Sequence, residues 1–229
     1  MKKYVTFSFD DSEKYDLRLA ALLNQYGIKA TFFIITDQIG QKIPHHRYGQ
    51  DTVVERVTVD EIQRGYPNME IASHTSNHRA CFNINDEFIE TEIKKSFNLL
   101  SDITGEKCIG MAYPGGGYDV PSAKKLKEND VLYARTAESS YSFDLPEDFL
   151  IWNPTCSFTD ERCPELVREF LDTDSDGIQL LNIYGHSYEL ENPNKDWWTF
   201  FEEKICKPLA EENVTFATYK EIYNMFGNK

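Results

Sequence analysis

Strand-forming and helix-forming segments alternate about seven times along this chain, and that alternation constrains its fold more than any other feature. Residues 4–9 alternate apolar with polar or small side chains and predict a strand. The run 30–35 is almost continuously apolar, which is typical of a strand buried on both faces. A helix predicted between them ends at Gly27. Repetition of this β-α-β unit predicts a parallel α/β architecture, either a barrel or a doubly wound sheet.

The rest of the chain continues the alternation. Further strands are predicted at 70–73, 108–113, 131–136, 149–153, 178–184 and 214–217, and further helices at 58–64, 86–104, 121–128, 164–171, 197–211 and 219–226. The segment 36–57 is polar, carries Pro44 and Gly49, and predicts a long loop inserted into the domain. Because 229 residues is the length of one α/β barrel, a single domain over 1–229 is expected.

Charge and composition limit the partners. A net charge of −14 would repel nucleic acid and anionic membrane surfaces, so neither is expected as a partner. No run of about 18 apolar residues indicates a membrane span, and the N-terminus lacks the apolar core of a secretory signal. The five cysteines lack the paired C-x-x-C spacing of a thiolate zinc site. They predict reduced thiols, as in a cytoplasmic protein. A small-molecule or oligosaccharide substrate is the remaining expectation, and the oligomeric state is not predicted.

Unusual polar residues follow four of the predicted strands. Asp10 and Asp11 follow the first strand, and His74 and His78 follow the strand at 70–73. The segment 114–117 follows the strand at 108–113, and His186 follows the strand at 178–184. In an α/β barrel the loops after the strands gather on one face and build the active site. The pattern therefore favours a distorted (β/α) barrel of about seven strands, with one site that collects all four groups.

His74 and His78 are four residues apart, so a tight turn could aim both imidazoles at one point. Two imidazoles and one carboxylate commonly hold a catalytic zinc ion and leave a position for water. Either Asp10 or Asp11 could supply the carboxylate. Because successive side chains of a strand point to opposite faces, the two aspartates are expected to have different roles. The predicted cofactor is one divalent ion, zinc first, with cobalt, nickel or iron as alternatives.

Three motifs resemble those of the polysaccharide deacetylases that share the NodB homology domain, carbohydrate esterase family 4. The family's T-F-D-D motif is similar to Ser8-Phe9-Asp10-Asp11, its H-[ST]-x-x-H motif is matched at 74–78, and its leucine-containing strand ending in histidine resembles 180–186. The resemblance extends from about residue 5 to about residue 218. It implies a distorted barrel and a metal-dependent hydrolase that removes an acetyl group from an N-acetylated sugar.

The resemblance also implies a role for each motif residue. Asp10 would be the general base, Asp11, His74 and His78 would hold the metal, and His186 would be the general acid. These roles are chemically consistent, because a metal activates water, a carboxylate accepts its proton, and a histidine titrates near neutrality.

Two family motifs are altered. The third, R-x-P-[FY]-G, appears as Ala112-Tyr113-Pro114-Gly115-Gly116, so the arginine that pairs with the catalytic base is absent. Arg135 is the candidate replacement, and a solvated surface charge is its alternative interpretation. The fourth motif, D-x-x-D-W, is matched in part at 148–152, in which Ile151 replaces the second aspartate. Glu189 is then the candidate that orients His186.

Substrate contacts are predicted in the altered third motif and at one tryptophan. Aromatic residues make up 14% of the chain, and most of them are expected in the core. The predicted substrate-binding residues are Tyr113, Pro114, Gly115 and Trp152.

Other functions remain open on the same residues. A related hydrolase could cleave another C–N amide bond, in a cyclic imide or a formamide. Two histidines and a carboxylate also form the facial triad of Fe(II) oxygenases, although the α/β alternation disfavours that fold. A retaining glycosidase would need Asp10 and Asp11 to flank one bond. A non-catalytic carbohydrate-binding relative is the last alternative.

Overall fold

The computed structural model of the protein describes residues 2–174 and 176–227. Its strands, in chain order, are β1 (Lys2–Asp10), β2 (Ala30–Ile34), β3 (Lys42–Arg47), β4 (Gln50–Glu55), β5 (Glu70–Ser73), β6 (Gly110–Ala112), β7 (Tyr133–Arg135), β8 (Cys156–Ser157), β9 (Ile178–His186) and β10 (Thr215–Phe216). Its α-helices are α1 (Tyr15–Gln25), α2 (Val59–Gly65), α3 (Asp86–Phe88), α4 (Lys95–Thr104), α5 (Val120–Glu128), α6 (Cys163–Asp172), α7 (Trp197–Phe201), α8 (Lys207–Ala210) and α9 (Tyr219–Phe226).

Two of the predicted long helices each contain a short π-helical segment between two α-helical parts. Ile89–Lys94 joins α3 to α4, and Glu202–Cys206 joins α7 to α8, so each predicted helix is one continuous run. Short 3-10 helices occur at Thr36–Gln38, Pro114–Gly116 and Ser187–Glu191. Within the described residues, no helix has both the length and the apolar character to cross a membrane.

The main sheet is parallel and curled, and it forms a half-barrel. Its strand order is β7-β6-β5-β2-β1-β9-β8, and β10 pairs with β1 outside that path. The segment 149–155 connects the β7 edge of the sheet with the edge formed by β8 and β9. Trp152 N donates to Ala134 O in β7 at 3.1 Å, and Thr155 N donates to Asn182 O in β9 at 2.7 Å. The strand predicted at 149–153 is wrong, because only a single bridge between Arg135 and Trp152 forms there. The distorted (β/α) barrel is confirmed.

Alternation along β1 separates the helix-facing core from the barrel interior. Val5, Phe7 and Phe9 are fully buried in one apolar cluster, whereas Tyr4 belongs to a second cluster with Trp152. Asp10 is in phase with Tyr4 and therefore lies on the interior side of the sheet. The strand period thus directs Asp10 into the barrel at the carboxyl end of β1.

The segment 36–57 is not the loop that its polar composition predicted. It contains the antiparallel hairpin β3–β4, with Arg47 paired to Gln50. The two residues between them, Tyr48 and Gly49, have φ of 55° and 75°. Two successive positive φ angles are those of a type I′ turn, whose twist matches that of a hairpin.

Asp16 in the first turn of α1 gives the fold a pH-dependent stability. Burial, together with the negative charges of Glu13 and Asp11, raises the pKa of Asp16 to about 8, although Tyr66 donates a hydrogen bond to it. The folded protein therefore keeps a proton that the unfolded chain loses above about pH 4, and the free energy of unfolding falls as the pH rises from about 4 to about 8.

We expect Asp16→Asn to stabilise the protein at pH 8 by about 2–5 kcal/mol and to change its stability little at pH 4. The asparagine oxygen can still accept from Tyr66 but cannot ionise. Urea unfolding at the two pH values measures the difference. The exposed Asp60→Asn is the control, and an equal gain at both pH values would contradict the explanation.

Candidate active site

The end of β1 turns sharply between the two aspartates. Asp10 is the last residue of the strand and pairs in register with His186 of β9. Asp11 and Ser12 adopt left-handed conformations, with φ of 77° and 54°. Non-glycine residues rarely adopt such angles, so two in succession mark a constrained turn. Because of this turn, both carboxylates approach His74 Nε2, Asp10 Oδ2 at 3.9 Å and Asp11 Oδ1 at 3.7 Å.

Asp11, His74 and His78 form one cluster of possible metal ligands. One ligand atom from each lies within 4.8 Å of the others, and Asp11 Oδ1 is 3.3 Å from His78 Nε2. His74 is buried directly after β5, whereas the His78 side chain is 40% exposed and has a positive φ of 58°. The structure therefore brings together the three side chains that the sequence nominated for a metal.

The donor set fits a divalent cation. Ala112 O lies 2.9 Å from His74 Nδ1, and a carbonyl can only accept, so the Nδ1 proton leaves Nε2 with its lone pair toward Asp11. Burial lowers the pKa of His74 below its ordinary value and favours the neutral, ligating form. Asp11 Oδ1 is buried and has no hydrogen-bond donor among the described residues. A cation would supply the partner that this oxygen lacks.

Asp10 is paired with a buried arginine. Arg135 Nη2 donates to both carboxylate oxygens of Asp10, and Nη1 donates to Thr136 O at 2.8 Å. Burial alone would raise the pKa of Asp10, but the neighbouring positive groups, Arg135 first among them, together outweigh burial and hold that pKa below the usual range. Asp10 is therefore an ionised carboxylate inside the barrel.

The position of Arg135 explains the altered third motif. Ala112, which stands where the family has its arginine, pairs in register with Arg135 on the neighbouring strand. Side chains at paired positions of parallel strands point to the same face, so the arginine reaches Asp10 from one strand farther along the sheet. The guanidinium is fully buried and lies 4.8 Å from the Tyr184 ring centre. The alternative interpretation of Arg135 as a solvated surface charge is wrong.

His186 lies at the end of β9 beside Glu189. Glu189 Oε2 accepts from the His186 backbone N at 2.8 Å and lies 3.4 Å from Nδ1. Burial lowers the pKa of His186, but Glu189, Asp10 and Asp11 outweigh burial and raise it to about 9. The imidazole is thus protonated at neutral pH. Asp148, the aspartate of the altered fourth motif, accepts a hydrogen bond from Leu150 N in a local turn.

Three of the four predicted substrate contacts are buried, and two of them lie in apolar core clusters. Tyr113 is fully buried and donates its hydroxyl to Leu150 O at 2.9 Å, and Trp152 is 1% exposed. Neither offers a surface to a sugar ring, so these two predictions are wrong. Large aromatic side chains are used mainly for burial, and both follow that tendency. Pro114 is also buried, and Gly115 is exposed, so contact through Gly115 stays a prediction.

Two residues that the sequence did not nominate contact the site. The Tyr188 ring stacks on the His186 imidazole with ring centres 4.9 Å apart, and the Arg47 guanidinium lies 3.6 Å from the centre of the Tyr188 ring. The position of Tyr188, two residues after His186, was the one available signal. Arg47 lies in the polar segment 36–57, and its sequence context gave no indication of this contact.

Solved structures share this architecture. The family 4 acetyl xylan esterase of Clostridium thermocellum, solved with a cobalt ion, superposes with a TM-score of 0.58 at 17% identity over 97% of this chain and 91% of that chain. The deacetylase PplD of Streptococcus pyogenes, solved with acetate, gives a TM-score of 0.59 at 20% identity over 72% of this chain and 69% of that chain. At such identities the likeness establishes the fold.

Sequence comparison adds the family. YxkH of Bacillus subtilis (strain 168), which carries a polysaccharide deacetylase name, is 27% identical over 138 residues. That match covers 60% of this chain, and this chain spans 46% of the length of YxkH. The profile of the family described as polysaccharide deacetylase matches residues 1–134, more than half of the sequence. The chain therefore belongs to the polysaccharide deacetylase family.

Proposed function

We propose that this protein is a hydrolase that removes an acetyl group from an N-acetylated sugar and uses one divalent cation held by Asp11, His74 and His78. The observation that carries the proposal is the meeting of this cluster with the Asp10–Arg135 pair at the carboxyl ends of the barrel strands. Zinc suits the ligand set of two imidazoles and a carboxylate, and cobalt, nickel and iron share its preference for imidazole.

Each proposed role follows from a position in the site. A divalent cation in the cluster would polarise the acetyl carbonyl and lower the pKa of a bound water. Asp10, kept ionised by Arg135, accepts the proton of the attacking water as general base. His186, protonated at neutral pH, donates a proton to the departing sugar nitrogen as general acid.

The structural neighbours support an acetylated carbohydrate as substrate. One is an acetyl xylan esterase with a cobalt ion, and another is a deacetylase with acetate. A third neighbour, from Bacillus anthracis, is described as a pseudoenzyme of the same family. In this chain a base, an acid and three cation ligands lie together, which favours catalysis over binding alone.

The single domain over 1–229 and the cytoplasmic location stay predictions.

Zinc titration and acetate release test this proposal together. Calorimetry of metal-stripped protein is expected to show about one bound zinc ion per chain, and His78→Ala is expected to lose it because two ligands are too few. Acetate release from N-acetylated sugar oligomers is expected of the zinc-loaded protein and not of the variant. The exposed His46→Ala is the control for a removed histidine. Zinc-loaded protein without acetate release from any such oligomer would overturn the proposed activity.

We expect Glu189→Gln to lower the pH above which activity falls. The acid form of His186 is present below its pKa, so kcat/KM falls as the pH rises through that pKa. Glu189 contributes to the raised pKa of His186, and the neutral glutamine removes that contribution. The basic limb of the kcat/KM profile should therefore move to lower pH. Glu191→Gln in the same turn is the control, and an unmoved limb in Glu189→Gln would contradict the assignment.

A further inference from the structure

The hairpin β3–β4 is tied to the loop that carries the proposed metal ligand. Arg56 Nη1 donates to Asp11 O, Val57 N donates to Ser12 O at 3.0 Å, and Lys14 N donates to Glu55 O at 2.9 Å. These bonds connect the end of β4 to residues 11–14. The hairpin therefore has a fixed position relative to the site.

Arg47, at the tip of the hairpin, makes two separate contacts, one with Glu13 and one with Tyr188. Its Nη2 and Nη1 donate to the two carboxylate oxygens of Glu13 at 2.7 and 3.1 Å, and Glu13 is only 2% exposed. The face of the same guanidinium covers the Tyr188 ring at 3.6 Å. A planar, bidentate donor that also stacks on an aromatic ring is a combination that arginine provides and lysine does not.

Tyr188 transmits this contact to the proposed general acid. Its ring lies against the His186 ring at a centroid distance of 4.9 Å and an interplanar angle of 30°. Glu189 Oε2 lies 3.4 Å from Nδ1 at the edge of the imidazole, whereas the Tyr188 ring covers its face. Ring stacking is thus the contact best placed to set the plane of the imidazole.

We propose that Arg47 and Tyr188 are positioning residues that hold the His186 imidazole in its proton-donating orientation. The catalytic consequence rests on the proposed function, whereas the stacking itself does not. Glu13 orients the guanidinium, the guanidinium holds the tyrosine ring, and the tyrosine ring holds the imidazole. The hairpin β3–β4 thereby affects the proposed proton transfer through Tyr188, without contacting the acetyl group.

Histidine side-chain NMR of the protein, recorded without and with added zinc, tests the stacking directly, with His186 assigned from His186→Gln. Tyr188→Leu is expected to move the His186 ring-proton resonances downfield because the shielding by the aromatic ring is lost. Tyr188→Phe, which keeps the ring, is expected to resemble the wild type. Arg47→Lys is expected to move the resonances in the same direction by less. Val53→Ala, on an exposed position of the hairpin, is the matched control.

Kinetics test the consequence. Tyr188→Leu is expected to lower kcat about tenfold and to leave KM within about twofold, with zinc affinity unchanged, because proton donation is impaired and binding is not. Tyr188→Phe is expected to restore kcat. His186 resonances that stay in place in Tyr188→Leu and Arg47→Lys would overturn the proposal, as would a Tyr188→Phe variant as slow as Tyr188→Leu. Shifted resonances in a protein that deacetylates no sugar would uphold the stacking and reject only the proposed function.

Discussion

Asp10→Asn will slow acetyl release by about a hundredfold to ten-thousandfold and leave zinc affinity nearly unchanged. Asparagine cannot accept the proton of the attacking water, and Asp10 is paired with Arg135 and lies outside the metal cluster. Acetate release by the zinc-loaded variant, measured beside calorimetric zinc binding, separates the two quantities.

Asp11→Asn is the matched control, because it makes the same chemical change one residue farther along. It is expected to lose most of the zinc affinity, since it removes the anionic ligand that lies 3.3 Å from His78 Nε2. Equal zinc affinities in the two variants would show that the turn after β1 does not divide the roles of the aspartates.

Arg135→Met will lower the free energy of unfolding by about 3–5 kcal/mol. The substitution leaves the Asp10 carboxylate buried and unpaired, which costs more than the lost attraction alone. Because the positive charge of Arg135 lowers the pKa of Asp10, its removal raises that pKa, and the acid limb of the kcat/KM profile moves to higher pH. Urea unfolding and pH profiles of acetate release measure the two effects.

A double mutant tests whether the cost comes from the pair. Adding Asp10→Asn to Arg135→Met removes the unpaired charge. The loss in the free energy of unfolding should therefore be about 1–3 kcal/mol smaller in the double variant than the summed losses of the two single variants. Arg64→Met, whose guanidinium is exposed and pairs with Asp60, should change stability by less than about 1 kcal/mol. Additive effects of Arg135→Met and Asp10→Asn would contradict the pairing.

Local sequence patterns were sufficient to predict most of the barrel and the two histidines of the candidate metal cluster. Apolar runs such as 30–35 mark buried strands whatever their neighbours are, because burial on both faces excludes polar side chains. Polar residues directly after such runs lie at one end of a parallel sheet, so His74 and His78 could be grouped with Asp10 or Asp11 before any coordinates, and the family resemblance chose Asp11. The hairpin β3–β4 could not be predicted in this way, because its strands are mostly exposed and lack an apolar pattern.

The partners of the proposed base and acid depended on contacts between distant parts of the chain. Arg135 and Asp10 are 125 residues apart, and whether the arginine faced the barrel or the solvent was set by the register of β7 on β6. Tyr113 and Trp152 were predicted to contact a sugar, and only the packing around them placed both side chains in the core.

The sequence by itself determined the fold class and the chemical types gathered at the strand ends, because these follow from local periodicity and parallel strand direction. The tertiary structure alone decided that Arg135 pairs with Asp10 and that Arg47 and Tyr188 lie beside His186. The physical reason is that strand register and hairpin docking are set by the packing of the whole domain, and a shift of one residue would turn the same side chains to the opposite face.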